Sequence, residues 1–134
     1  EEYFRNIKGV NNTKVGYTGG HLNNPSYEEV CTGKTGHAEA VLIDYDEKQI
    51  SYDILIEHFW KCHDSTQLNR QGFDVGTQYR SAIFYYDVNQ KNIAEISLNK
   101  HQQTINKNIE TEIVEAKEFY PAEDYHQCYL KKRS

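Results

Sequence analysis

Apolar and polar positions along the 134-residue chain change period several times, and each change predicts an element. Tyr3, Phe4 and Ile7 recur at helical spacing and stop at Gly9, which predicts the tail end of a helix over 1–8. Val10 to Tyr17 reads as a weak strand punctuated by Gly19 and Gly20, followed by a polar loop through Asn23, Asn24 and Pro25. His37 to Tyr45 is apolar on both faces, the pattern of a strand in the middle of a sheet. Ser51 predicts an N-cap. After it, Tyr52, Leu55, Ile56, Phe59 and Trp60 form one apolar stripe of an amphipathic helix. Asp64 to Thr77 is a long polar loop, and such loops in compact domains are usually functional. Tyr79 to Tyr86 reads as a second strand. Asp87 with Gln90 predicts a capping box, opening a helix that buries Ala94, Leu98, His101 and Ile105. A short strand at Glu112 to Val114 and a final helix or turn through Tyr125 and Leu130 complete the pattern. Helices alternating with strands predict an α+β fold, a two-layer sandwich with helices packed on a mixed sheet.

Composition narrows the function. The length fits a single domain over 1–134, with no repeat and no interdomain linker. A net charge of −5 and a basic cluster confined to Lys131, Lys132 and Arg133 give no phosphate-backbone footprint, so no nucleic-acid partner is expected. No apolar run reaches membrane-spanning length. The polar composition gives no sign of a large apolar interface, so a monomer is expected. Three cysteines at wide spacing, Cys31, Cys62 and Cys128, do not form a secreted disulfide framework; a reduced, cytoplasmic protein is the expectation. The chain starts at Glu1 and has no methionine, so either the N-terminus was processed or the native chain extends beyond these residues.

Several residues suggest chemistry. Glu39 lies inside the most apolar strand, sharing a face with Val41 and Ile43. Desolvation there raises a carboxyl pKa and makes it a proton donor near neutral pH; the other reading is an edge position in water. His37, on the same face, either orients Glu39 or ends the strand at the surface. Asp74 and Tyr79 place an acid and a phenol close together in the long loop, and Tyr27 follows the turn at Asn24 and Pro25. Any one of the 11 tyrosines serves equally as core. His58 and Cys62 share a helix face and raise a metal question, but no second Cys/His pair of structural-zinc spacing occurs. His63 and Asp64 are better read as a helix end. Cys128, two residues after His126, is either an activated thiol or a small buried side chain.

Five stretches in order carry a family resemblance. They are Val15-Gly16-Tyr17-Thr18-Gly19-Gly20, Asn24-Pro25-Ser26-Tyr27-Glu28-Glu29-Val30-Cys31-Thr32-Gly33, and Thr35-Gly36-His37-Ala38-Glu39-Ala40-Val41. Arg70-Gln71-Gly72, with Asp74 and Gly76-Thr77-Gln78-Tyr79-Arg80-Ser81, follows, and then Phe119-Tyr120-Pro121-Ala122-Glu123-Asp124-Tyr125-His126-Gln127. Together they resemble methionine sulfoxide reductase A along almost the whole chain. The resemblance implies a ferredoxin-like α+β domain that reduces the S epimer of methionine sulfoxide, free or in proteins. It implies no cofactor. A cysteine thiolate attacks the sulfoxide sulfur, a sulfenic acid is left, a second thiol closes a disulfide, and thioredoxin or another thiol reduces it.

By position, the resemblance makes Glu39 the proton donor, Tyr27 and Tyr79 the hydroxyl donors to the sulfoxide oxygen, and Asp74 the loop aspartate near the nucleophile. His126 and Tyr129 line the pocket, Cys128 is the candidate resolving thiol, and Cys31 falls at a structural position. Cys62 has no implied role. The family's Gly-Cys-Phe-Trp nucleophile motif and its first strand, central in the sheet, would end just before Glu1. The expectation is therefore a fragment of a longer native protein, with the nucleophile, cysteine or selenocysteine, outside it. The alternative from another class is a non-catalytic module that binds methionine sulfoxide and has lost its nucleophile.

Overall fold

A computed structural model describes residues 2–122. The predicted opening helix is short, α1 at Glu2–Arg5, and the chain turns at Gly9. Strand β1, Val10–Thr18, runs antiparallel to β2, Ala38–Tyr45, with a register shift between Val10 and Asn12. On its other edge β1 carries β7, Tyr120–Pro121. So β1, the weaker pattern, is the middle strand of this ladder, and β2 is its edge among the described residues. The apolar residues of β2 have other partners than two flanking strands. Ile43 and Tyr45 pack on the buried Phe4, Ile50 and Leu55, and the rest of the strand walls an open cleft.

The predicted helical stripe is realised in α3, Tyr52–Cys62, where Leu55, Ile56 and Trp60 are buried. Ser51 takes the N-cap position without a side-chain capping bond. At the far end, His63 caps the helix: its Nδ1 lies 2.8 Å from the Phe59 carbonyl, which only accepts, so Nδ1 is the protonated nitrogen. Nε2 then accepts from the Ser81 hydroxyl at 2.6 Å, and Ser81 Oγ is 2.7 Å from Thr111 Oγ1.

Strand β5 is shorter than the pattern predicts, Ala82–Tyr85, because Thr77–Tyr79 winds into a 3-10 turn ahead of it. Tyr79 is therefore a turn residue, not a strand residue. Helix α4, Val88–Gln102, links β5 to the parallel strand β6, Glu112–Glu115. Asp87 accepts from Gln90 N at 2.8 Å as expected of an N-cap, but the Gln90 side chain reaches Tyr86 N rather than Asp87 N. Between α3 and α4 the core holds Ile56, Trp60, Ile83 and Ala94. Trp60 donates to Ser97 Oγ at 2.8 Å and stacks on His101.

The long loop contains a small hairpin, β3 Arg70–Gln71 and β4 Asp74–Val75. The architecture is mixed α/β with antiparallel and parallel pairings. Among the described residues the strands fall into three separate ladders rather than one mixed sheet. A cleft of about 770 Å³ opens between β2 on one side and β5 on the other, floored by Leu55, Ile56 and Phe59 of α3.

Candidate active site

Glu39 sits one residue inside β2, opposite the fully buried Tyr17 of β1. Its side chain is exposed and lines the cleft. That setting raises its pKa, chiefly by desolvation and then by the nearby Asp74 charge. The sequence expectation of a perturbed acid holds; the expectation of a carboxyl sunk in the strand's apolar face does not.

Tyr27 opens α2, Tyr27–Cys31, and its position is set locally. Asn24 takes a positive φ of 49°, which Asn tolerates well. Ser26 and Glu29 then form a reciprocal capping box, with Glu29 N on Ser26 Oγ at 3.1 Å and Ser26 N on Glu29 Oε1 at 3.0 Å. Ser26-Tyr27-Glu28-Glu29 carries the Ser-x-x-Glu signature of such a box. Tyr27 and Cys31 lie four residues apart on one helix face. Their hydrogen bond and electrostatic interaction are the main reasons the Tyr27 hydroxyl is pushed up to about 12, with smaller contributions from Tyr79, burial and Glu39. Cys31 is free and exposed. Its thiol hydrogen-bonds the Tyr27 hydroxyl from the same helix face.

Tyr79 lines the same cleft from the 3-10 turn. Its pKa is raised by burial first, then by Glu39, Cys31 and Asp74. Tyr79 thus lies within electrostatic reach of Tyr27, Cys31, Glu39 and Asp74, although these five come from two strands, a short helix and a turn. Both phenols stay protonated at neutral pH and can donate hydrogen bonds. A protonated carboxyl beside them can deliver a proton to the same acceptor.

Two bracing groups hold this arrangement. Arg80 Nε donates to Glu112 Oε1 at 2.8 Å, while its two terminal nitrogens donate to the Thr77 and Gly36 carbonyls at 2.9 Å each. It thereby ties the Tyr79 turn to the chain entering β2, three residues before Glu39. In the sequence Arg80 stands out only as part of a motif; no periodicity marks a residue whose partners lie 32 and 44 positions away. His37 neither orients Glu39 nor ends the strand at the surface. It is buried, accepts from Gly20 N at 3.0 Å and donates Nε2–H to the Leu22 carbonyl at 2.7 Å, which staples the loop after β1. Gly20 allows this closeness: a Cβ there would collide with the backbone of Thr35, Gly36 and His37.

His58 hydrogen-bonds the Tyr3 hydroxyl at 2.8 Å, and Cys62 donates to the Phe59 carbonyl. Among the described residues no group of three or more His, Cys, Asp or Glu is placed to hold a metal. His126, Cys128 and Tyr129 lie outside the described residues.

The family model described as peptide methionine sulfoxide reductase matches residues 1–134. A peptide methionine sulfoxide reductase MsrA of Methanococcus maripaludis is 52% identical over all of this chain, which covers 85% of that protein. The chloroplastic peptide methionine sulfoxide reductase A4 of Arabidopsis thaliana is 54% identical over 96% of this chain, which spans 50% of that longer protein. Mxr1 from Saccharomyces cerevisiae, in its reduced form, superposes with a TM-score of 0.93 at 34% identity, covering 98% of this chain and 77% of Mxr1. A structure of Mxr1 in complex with Trx2 shares the fold at a TM-score of 0.64 and 22% identity, over 88% of this chain and 67% of that one.

Proposed function

The chain belongs to the peptide methionine sulfoxide reductase family, and from that premise we propose that it reduces methionine-(S)-sulfoxide, free or in proteins, to methionine. The observation that carries this reading is the electrostatic proximity of Glu39, a carboxyl of raised pKa, to two phenols: Tyr79, which lines the cleft with it, and Tyr27 at the start of α2. The raised Glu39 pKa favours the acid form, the form that gives up a proton, and so favours the catalytic reading over the non-catalytic one.

In the proposed reaction a thiolate from outside residues 1–134, where the resemblance places it, bonds to the sulfoxide sulfur. The S–O electrons move onto oxygen. Tyr27 and Tyr79 donate hydrogen bonds to that oxygen as its charge grows, and such donors act best when already aimed. Glu39 supplies one proton to that oxygen and becomes a carboxylate. The resulting hydroxyl leaves the methionine sulfur and bonds to the thiol sulfur as the new S–S bond breaks with its electrons going to the methionine sulfur, so that methionine departs and the thiol is left as a sulfenic acid. A second thiol condenses with the sulfenic acid, releasing water and forming a disulfide that thioredoxin reduces. The Mxr1–Trx2 complex supports thioredoxin as reductant. Cys128 is the proposed second thiol. Asp74 keeps the Glu39 proton in place by its charge, and His126 and Tyr129 complete the pocket wall.

We also propose that the cleft between β2 and β5 seats the family's first strand, joining the ladders into the ferredoxin-like two-layer sandwich of one domain. Among the described residues no ladder crosses the gap between these two strand edges, which supports this, since unpaired edges beside an apolar wall are costly. The expected setting is a reducing, cytoplasmic one, with the protein acting as a monomer.

The test is turnover of methionine-(S)-sulfoxide by the full native protein with thioredoxin, beside Glu39→Gln. Wild type turns over, and the variant is slower by roughly 10²-fold or more, the scale of a lost general acid. Equal rates remove Glu39 as donor. No turnover by the wild type removes the reductase reading. Cys128→Ser is expected to abolish thioredoxin recycling while sparing one turnover; recycling at the normal rate dismisses Cys128 as the second thiol.

A further inference from the structure

Gln78 is a buried polar residue beside the site that no step of the proposed reaction uses. It is 5% exposed, sits in the middle of the 3-10 turn Thr77–Tyr79 and forms part of the cleft wall with Tyr79. Its backbone is fixed: Tyr79 N donates to the Gly76 carbonyl at 3.0 Å, and Arg80 N to the Thr77 carbonyl at 3.2 Å. Its carboxamide lies against Gly76, where φ is 147° and a Cβ would collide with the amide. Nε2 donates to the Cys31 carbonyl at 3.5 Å. That carbonyl belongs to the last turn of α2, where carbonyls have no partner inside the helix. Oε1 is buried and, among the described residues, has no hydrogen-bond partner.

A bare oxygen on a buried amide is costly and calls for a reason. The contact with Cys31 is long, but its sign is fixed. A carbonyl only accepts, so the amide turns its nitrogen, not its oxygen, toward α2. That nitrogen has two hydrogens, and the second is available to the Tyr79 hydroxyl. Burial first, then Glu39, Cys31 and Asp74 raise the Tyr79 pKa, while its hydrogen bond with Gln78 acts the other way. A donor to the phenol oxygen acts in that direction. A phenol whose oxygen already accepts keeps its one proton for another acceptor and is polarised toward donating it.

We infer that Gln78 is a positioning residue that holds the Tyr79 oxygen from behind and so commits the Tyr79 O–H to the sulfoxide oxygen. The reverse amide orientation would present Oε1 to the phenol and take up that proton. The unpaired Oε1 is the consequence of holding the amide the productive way round. The same carboxamide ties the Tyr79 turn to the end of the helix that opens with Tyr27, so both phenols share one anchor. This inference rests on the reductase reading for its substrate, and its test separates the two.

Two measurements on the full native protein test it. Gln78→Met keeps the length of the side chain and removes its hydrogen-bonding groups. It is made alone and together with Tyr79→Phe, and kcat for methionine-(S)-sulfoxide is measured with dithiothreitol as reductant. Alone, it is expected to lower kcat roughly tenfold, the scale of one hydrogen bond. KM should hardly change, because a donor aimed at developing charge acts in the transition state. In the Tyr79→Phe background the loss should shrink to about twofold or less, since the two residues act as one unit. An equal loss in both backgrounds makes Gln78 a packing residue, and no loss in the wild-type background makes it idle; either overturns the inference. Independently, 3-fluorotyrosine is placed at position 79 and its ionisation followed by fluorine NMR. Gln78→Met should raise that midpoint by about one pH unit, the scale of a hydrogen bond to a charged oxygen. An unchanged or lowered midpoint overturns the inference as well. Should Gln78→Met not fold, Gln78→Glu takes its place in both measurements: it keeps the shape, has no N–H to give and should move kcat and the midpoint the same way. Should wild type turn over no sulfoxide, the reductase reading falls, and the fluorine titration alone decides the role of Gln78.

Discussion

At the scale of single residues, the site depends on one carboxyl being kept from its ordinary behaviour. Burial by the cleft walls, reinforced by Asp74, raises the Glu39 pKa, so its acid form persists above the ordinary glutamate value of about 4.3. The acid is the working form of a proton donor. Turnover should therefore hold steady at low pH on this account and fall as pH rises through the raised Glu39 value. The pH profile of kcat for Glu39→Gln should lack that limb; the same limb in both proteins would assign it to another group. Desolvation was legible in the sequence, because Glu39 interrupts an apolar run. That Tyr27 would meet Cys31 was legible only as a spacing of four residues, whose meaning requires knowing that a helix is present there.

At the scale of elements, short segments are held by caps rather than by length. Helix α2 has five residues, too few to be stable alone, and the Ser26–Glu29 box fixes both its start and the direction of Tyr27. Ser26→Ala should cost about 1 kcal/mol, the usual scale of a lost N-cap. It should also slow turnover by more than the loss of folded protein explains, measured as melting temperature beside kcat. A rate that tracks folded fraction alone would leave the cap purely structural. The end of α3 makes a pH-dependent joint. His63 is neutral, donating to Phe59 and accepting from Ser81, and desolvation lowers its pKa. Unfolding returns it to about 6.5, so the unfolded chain binds the extra proton first. Stability is full above that value and declines as pH falls from there through the lowered native value. Urea midpoints at pH 7.5 and 5.5 should differ less for His63→Gln than for wild type; an equal difference would clear His63 of the effect. Here the sequence suggested a helix end at His63, while its partners Ser81 and Thr111 were beyond any local pattern.

At the scale of the whole molecule, the described strands leave a cleft of about 770 Å³ between β2 and β5. If a strand closes it in the native protein, the amides of β2 and β5 facing the cleft should exchange with deuterium far more slowly than those of the loop at 64–77. Exchange as fast as the loop would mean that the ladders stay separate and that the domain proposal is wrong. The same scale explains why Arg80 matters: one guanidinium joins the Tyr79 turn, the entry to β2 and strand β6. The amino-acid sequence by itself determined the helices at 52–62 and 88–102, the strands at 10–18 and 38–45, and the family, because periodicity, caps and motifs are written in neighbouring residues. Only the tertiary structure decided that β1 rather than β2 is central in its ladder, that Tyr79 sits in a turn, that Cys31 meets the Tyr27 hydroxyl, and that His37 staples a loop instead of orienting Glu39. Those outcomes depend on which distant backbone fills each edge and which distant carbonyl needs a donor, and such satisfaction of buried polar groups is a property of the assembled chain.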